Sequence, residues 1–231
     1  MVTLDDGYAD MVEHALPVLR RCGLKAAVYV VTKRLGLTNT WDEINGHRTM
    51  RLMSADQILE WAGRGIEFGS HMRTHPHLTS LSEQRLTDEI EGSRDDLQSL
   101  LGAEVLSFAY PYGDGAESSE IREKLIRTYL LGMTVQDGFN YIETNPYELR
   151  RIMILPGDSI KDFERKLRFE RSMAVRVRQC LPWAVRTAAR RGLGVLGAWN
   201  GNSQEGRVCT KPLARPALEL SRTVNEPDSH E

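Results

Sequence analysis

The sequence predicts an α/β fold built from β/α units, and three features carry that prediction. Six short apolar runs, at residues 2–4, 26–31, 66–69, 105–110, 130–135 and 152–155, have the length and composition of strands. Most are apolar throughout rather than alternating, the pattern of parallel strands covered on both faces. Segments with helical spacing and helix-start signals separate them, and such alternation builds a parallel sheet flanked by helices.

Taken in order, the first strand is brief and runs straight into Asp5 and Asp6. The helix after it is expected to start near Glu13 or His14, because Pro17 has no N–H to give and belongs in or near a first turn. Ser54 followed by Gln57 has the spacing of a capping box and opens a helix running through Trp61. Beyond the 66–69 strand, Ser82 precedes Leu86, Ile90, Leu97 and Leu101, which fall on one helical face. Ser159 with Asp162 repeats the start signal after the last strand. Near Arg171 the alternation stops, which predicts one domain over 1–172 and a tail over 173–231, basic, helical at first and then disordered.

A chain of 231 residues, 41% hydrophobic, is long enough for one sizeable core, and its net charge of −2 singles out no class of partner. The charge is unevenly divided. Residues 1–172 carry 21 Lys or Arg against 27 Asp or Glu, a net of −6, and residues 173–231 carry 9 against 5, a net of +4. No nucleic acid is expected as a partner. Arg176, Arg178, Arg186, Arg190 and Arg191 fall within 173–199 without one acid, as in a basic amphipathic helix interrupted by Pro182. Such a helix can pack on the domain or touch a membrane surface, and packing is the expected use. Cys22, Cys180 and Cys209 lie far apart with no CxxC pair and read as plain thiols. No charged start and apolar run precede the acidic pair, and no stretch approaches the roughly 18 apolar residues of a membrane span. As written the chain reads as cytoplasmic; the pair lies so close to Met1 that an upstream segment would change that reading.

Side chains of consecutive residues at a strand end diverge. Asp5 and Asp6 can therefore divide two tasks, one binding a metal and one taking a proton from water, although an Asp-Asp-Gly turn with solvated carboxylates is the plainer alternative. In GSHMRTHPHL, His71 and His75 stand just beyond a strand end. Two imidazoles and one carboxylate suit zinc and related divalent ions and leave a position open for water. His77, beyond Pro76, ranks third as a ligand. FAYPYGDG follows another strand, and Pro111, Tyr112 and Gly113 make a rigid turn able to present a backbone N–H. Each motif alone is an ordinary loop. Together they fall at the carboxyl ends of separate strands, which in a β/α barrel share the mouth where active sites are built.

TLDDGY, SHMRTHPHL and FAYPYG, in that order, resemble the first three motifs of the polysaccharide deacetylases of carbohydrate esterase family four, the NodB-homology domain, over about residues 1–172. Leu4 stands where phenylalanine is commoner. The resemblance implies a distorted (β/α) barrel of fewer than eight strands and a divalent metal, zinc by default, on Asp6, His71 and His75. It also implies that Asp5 is the general base and that the Tyr112 backbone N–H helps hold an oxyanion. The implied reaction is hydrolytic removal of N-acetyl groups from amino sugars of a bacterial glycan or glycan precursor, so an N-acetylated oligo- or polysaccharide is the expected substrate and acetate the product. Pro111, Tyr112 and Trp41 are the expected substrate contacts. Trp41 lies in the 38–48 loop with Asp42 and Asn45, and a ring beside short polar groups suits a pyranose, though a plain exposed loop is as good a reading.

Two positions depart from the family pattern. The third motif usually begins with an arginine that supports the base, and Ala109 stands there. Arg151, at the start of the last predicted strand, either reaches Asp5 from another direction or is a strand-edge charge. The last motif usually supplies a histidine that protonates the departing nitrogen, whereas this chain has IMILPGDS. Metal-bound water, Asp158 and His47 remain as sources of that proton. The gap keeps two rivals open: a catalytically silent metal-containing protein that binds or assembles glycan, and an amidase acting on a non-sugar amide.

Overall fold

The computed structural model describes residues 1–45, 48–155 and 157–168. The tail expected over 173–231 lies outside the described residues, as does His47. Among the described residues six strands form one sheet in chain order, and every neighbouring pair is parallel. They are β1 (Val2–Leu4), β2 (Ala26–Val30), β3 (Glu67–Ser70), β4 (Ser107–Ala109), β5 (Leu131–Asp137) and β6 (Leu149–Arg151). Helices α1 (Ala15–Arg21), α2 (Ala55–Gly63), α3 (Glu83–Leu101) and α4 (Ser119–Thr128) make crossovers, and α5 (Ile160–Leu167) follows β6. This is a curled sheet of β/α units, a distorted barrel with fewer than eight strands.

The two faces of β2 divide the core. Ala26, Val28 and Val30 join Leu16, Ile58, Trp61, Ile90 and Leu97 in the large cluster between sheet and helices. Ala27 and Tyr29 face the other way, into a smaller cluster with Ala109 and Met133. All five β2 residues are buried, which explains an apolar run with no alternation.

Several helix starts follow the local chemistry. Ser54 and Gln57 close both halves of a capping box, as do Ser159 and Asp162. Pro17 sits in the first turn of α1, behind His14 as N-cap. Helix α4 has no counterpart in the sequence reading. Only Ile121 and Leu125 of it are buried, a stripe too narrow to register as a pattern. The last strand differs too: residues 152–155 are not strand, and Met153, Ile154 and Leu155 are exposed. The ladder ends at Arg151, after a register shift between Met133 and Asp137, so Arg151 ends the strand it was expected to start. Apolarity marked this segment, but pairing and not apolarity makes a strand. Among the described residues no helix is long and apolar enough to cross a membrane.

Candidate active site

The loops leaving β1, β3 and β4 carry every non-glycine residue of positive φ among those described: Asp6 at 70°, Met72 at 69°, His75 at 64° and Tyr112 at 58°. L side chains enter this region at a cost on the order of 1 kcal/mol each, and such strain persists where surrounding structure holds it. Glycines complete two of the turns. A Cβ on Gly7 would stand 2.8 Å from Val30 Cγ1, and one on Gly113 only 2.2 Å from Val135 Cγ2.

These turns bring three ligand atoms together. Asp6 Oδ1 lies 3.3 Å from His71 Nε2 and 3.2 Å from His75 Nε2, and the two imidazole nitrogens are 3.2 Å apart. Asp6, His71 and His75 form a group able to hold a metal ion, their ligand atoms all within 4.8 Å of one another. The donor set fits a divalent cation, and so does its surrounding. His71 Nδ1 donates to the Ala109 carbonyl at 2.7 Å, which puts the proton on Nδ1 and leaves the Nε2 lone pair facing the cluster. Burial opposes charge on Asp6, but hydrogen bonds and positive charge from His71 and His75 hold its carboxyl well below the usual range. Burial also favours neutral His71, yet its bond to Asp6 and the charges of Asp5 and Asp6 push it up; for His75 burial prevails and the shift is downward.

His75 is held differently. Its Nδ1 is buried and has no hydrogen-bond partner among the described residues. Rings fix it instead: Trp41 stacks on its face at 4.4 Å, and Tyr112 meets it edge-on at 4.6 Å. Trp41, half-buried, thus leans on a candidate ligand. Tyr112 also stacks on the exposed His77 at 4.3 Å. Pro111 is buried beneath this turn.

Arg151 reaches Asp5. Its Nη1 donates to Asp5 Oδ1 at 2.6 Å and its Nη2 to Oδ2 at 2.7 Å, a two-pronged pair between residues 146 apart in sequence. Its Nε also donates to the Thr134 carbonyl at 2.8 Å, and Nη1 lies 3.3 Å from Thr3 Oγ1. One side chain therefore joins β6 to β1, the two outer strands of the sheet, and steadies the carboxylate beside the ligand cluster. Asp158 stands elsewhere, bonded to the Leu155 N–H and to Lys166.

Sequence reasoning missed Glu89 and gave Arg73 no role. Glu89 is fully buried on α3 and accepts from the backbone N–H groups of Arg73 and Thr74, at 2.8 and 2.9 Å, and from the Thr74 hydroxyl. It clamps the turn between the two histidines. Arg73 grips the same helix through Asp96, with Nε and Nη2 each at 2.9 Å, and through Asp88. Glu89 and Ser93 standing on the same face as Leu86, Ile90 and Leu97 were the available signal, since polar residues in a buried stripe need partners.

Comparison with known proteins agrees with this geometry. The family model described as polysaccharide deacetylase matches residues 1–129. YxkH of Bacillus subtilis (strain 168), described as a polysaccharide deacetylase, is 28% identical over 160 residues, covering 69% of this chain and 52% of YxkH. The chain thus spans about half the length of that curated relative. Among solved structures, the Streptococcus pyogenes deacetylase PplD, in complex with acetate, is 27% identical with a TM-score of 0.60, covering 71% of this chain and 68% of PplD. IcaB from Ammonifex degensii shares the fold at 22% identity and a TM-score of 0.59, over 74% of this chain and 70% of IcaB.

Proposed function

Since the chain belongs to the polysaccharide deacetylase family, we propose that it removes N-acetyl groups from the amino sugars of a glycan or glycan precursor, with Asp6, His71 and His75 holding a divalent cation, zinc first. The observation that carries this reading is the convergence of those three ligands beside an Asp5 carboxylate already gripped by Arg151. When bound, the cation supplies Lewis acidity, which polarises a carbonyl and brings the pKa of a coordinated water toward about 7.

The chain's own residues divide the remaining work. Asp5 accepts the proton of the attacking water as its oxygen bonds to the acetamide carbon, and Arg151 holds the accepting carboxylate in place. Charge then gathers on the former carbonyl oxygen, where the Tyr112 N–H can donate. Breaking the C–N bond frees acetate and an amine; Asp5, having gained a proton, can return it to the departing nitrogen. Trp41, Tyr112 and His77 present rings about the mouth, which suit the C–H faces of a pyranose. Acetate is also what the PplD complex holds.

Acetate release from N-acetylglucosamine oligomers, with and without chelator, tests the reading. Chelator-sensitive release is expected. Zinc binding with no acetate from any glycan would replace it with the silent glycan-binding protein, a rival motivated by the absence of the family's closing histidine from IMILPGDS. Activity confined to simple amides would point to the non-sugar amidase.

A further inference from the structure

Asp42 lies next to Trp41 in sequence, and described residues engage one of its carboxylate oxygens. Oδ2 accepts from Tyr8 Oη at 3.1 Å and from Asn39 Nδ2 at 2.7 Å. Oδ1 accepts from no described residue. The mount is rigid: Asn39 is 1% exposed, its Oδ1 takes the Met50 N–H at 2.5 Å, and its Nδ2 also lies 3.5 Å from the Arg48 carbonyl. Tyr8 is tied to Leu52 through an antiparallel bridge.

The group lies near the candidate ligands. Trp41 stacks on His75, and the Asp42 charge is felt at both His75 and Tyr112. Asp42 is not one of the convergent metal ligands, and Asp5 already occupies the place of the base. With both donors on Oδ2, Oδ1 can take a further one. Sugar hydroxyls are such donors, and a fixed acceptor discriminates strongly between a hydroxyl and its absence.

We propose that Asp42, mounted on Tyr8 and Asn39 through Oδ2, is a substrate-positioning residue whose Oδ1 accepts a hydrogen bond from a ring hydroxyl of the amino sugar undergoing deacetylation. This rests on the deacetylase reading above. It makes the site selective for a hydroxylated ring over a bare N-acetyl amide and places the acetamide relative to Asp5.

The test uses zinc-loaded full chain, N-acetylglucosamine oligomers and their monodeoxy derivatives, with binding measured by calorimetry and turnover by acetate release. Asp42→Asn is expected to raise Kd and KM about tenfold, with a smaller effect on kcat and an equal zinc affinity. One monodeoxy derivative should bind wild type weakly and be insensitive to the substitution. Asp42→Asn that binds glycan like wild type, or that lowers kcat equally on every substrate, overturns the proposal. Should Asp42→Asn not fold, Tyr8→Phe frees one mounting bond and is expected to give a smaller KM effect of the same kind; no effect overturns the proposal. Wild type that binds glycan, with Asp42→Asn tenfold weaker and neither releasing acetate, refutes the hydrolase reading and leaves the grip standing. Wild type that binds no glycan refutes the grip.

Discussion

Replacing Arg151 with methionine keeps the length of the side chain and removes the fork that holds Asp5. Four hydrogen bonds go: two to the Asp5 carboxylate, one to the Thr134 carbonyl and a longer one to Thr3. Stripping one partner from a fully buried ion pair costs about 3–5 kcal/mol. Here the side chains of Arg151 and Asp5 are 14% and 28% exposed, so water recovers part of that. The expected loss is about 2–3 kcal/mol, or roughly 5–10 °C in Tm for a domain of this size. Turnover should fall about a hundredfold, because the proposed base, Asp5, loses its orientation. Arg151→Lys should recover little of either, since an ammonium cannot grip both carboxylate oxygens in one plane. Circular-dichroism melts and acetate release at saturating substrate read the two effects. A cycle with Asp5→Asn isolates the pair, and the Arg151→Met penalty in stability should shrink by about 2 kcal/mol when Asp5 is already neutral. A methionine variant that melts within about 1 °C of wild type and turns over within about twofold would refute both the seam and the support assigned to this pair.

Trp41→Ala should weaken zinc binding about tenfold by freeing the His75 ring, with Trp41→Phe recovering most of it; competition against a chromogenic chelator measures this, and an equal affinity in all three proteins would contradict the ring support. Glu89→Gln should lower stability by about 1–3 kcal/mol, since the acceptor of the Arg73 and Thr74 N–H groups is weakened in a buried place; denaturant melts decide it. Asp96 supplies a pH test. Burial raises its pKa, but hydrogen bonds from Arg73 and Thr32 and the charges of Arg73 and Lys33 hold the folded carboxyl below its ordinary value. The unfolded chain therefore takes the proton first on acidification, so this stabilisation is complete above about pH 4 and fades as pH falls through the lower folded pKa. Melts at pH 5 and 3 should show a smaller loss in Asp96→Asn than in wild type; equal losses would remove Asp96 from the acid response.

Which features were readable from residues alone follows from the range of the interactions. Capping boxes at Ser54 and Ser159 join residues three apart, and the stripe of Leu86, Ile90 and Leu97 repeats within one helix, so both are visible in a short window. The apolar run of β2 is visible for the same reason. Helix α4 was not, because its buried stripe is two residues wide. Residues 152–155 misled, because nothing in an apolar run says that pairing ends at Arg151.

The chain's own sequence determined the β/α alternation, the short-range caps and the three strand-end motifs through which its family is recognised. Only the tertiary structure decided that Arg151 forks Asp5 across 146 residues, that Trp41 lies on His75, and that Glu89 clamps the turn between the histidines. Local backbone preference is written in neighbouring residues. The distance between two side chains on different strands depends on the curl and register of the whole sheet, and those emerge only when all six strands have paired.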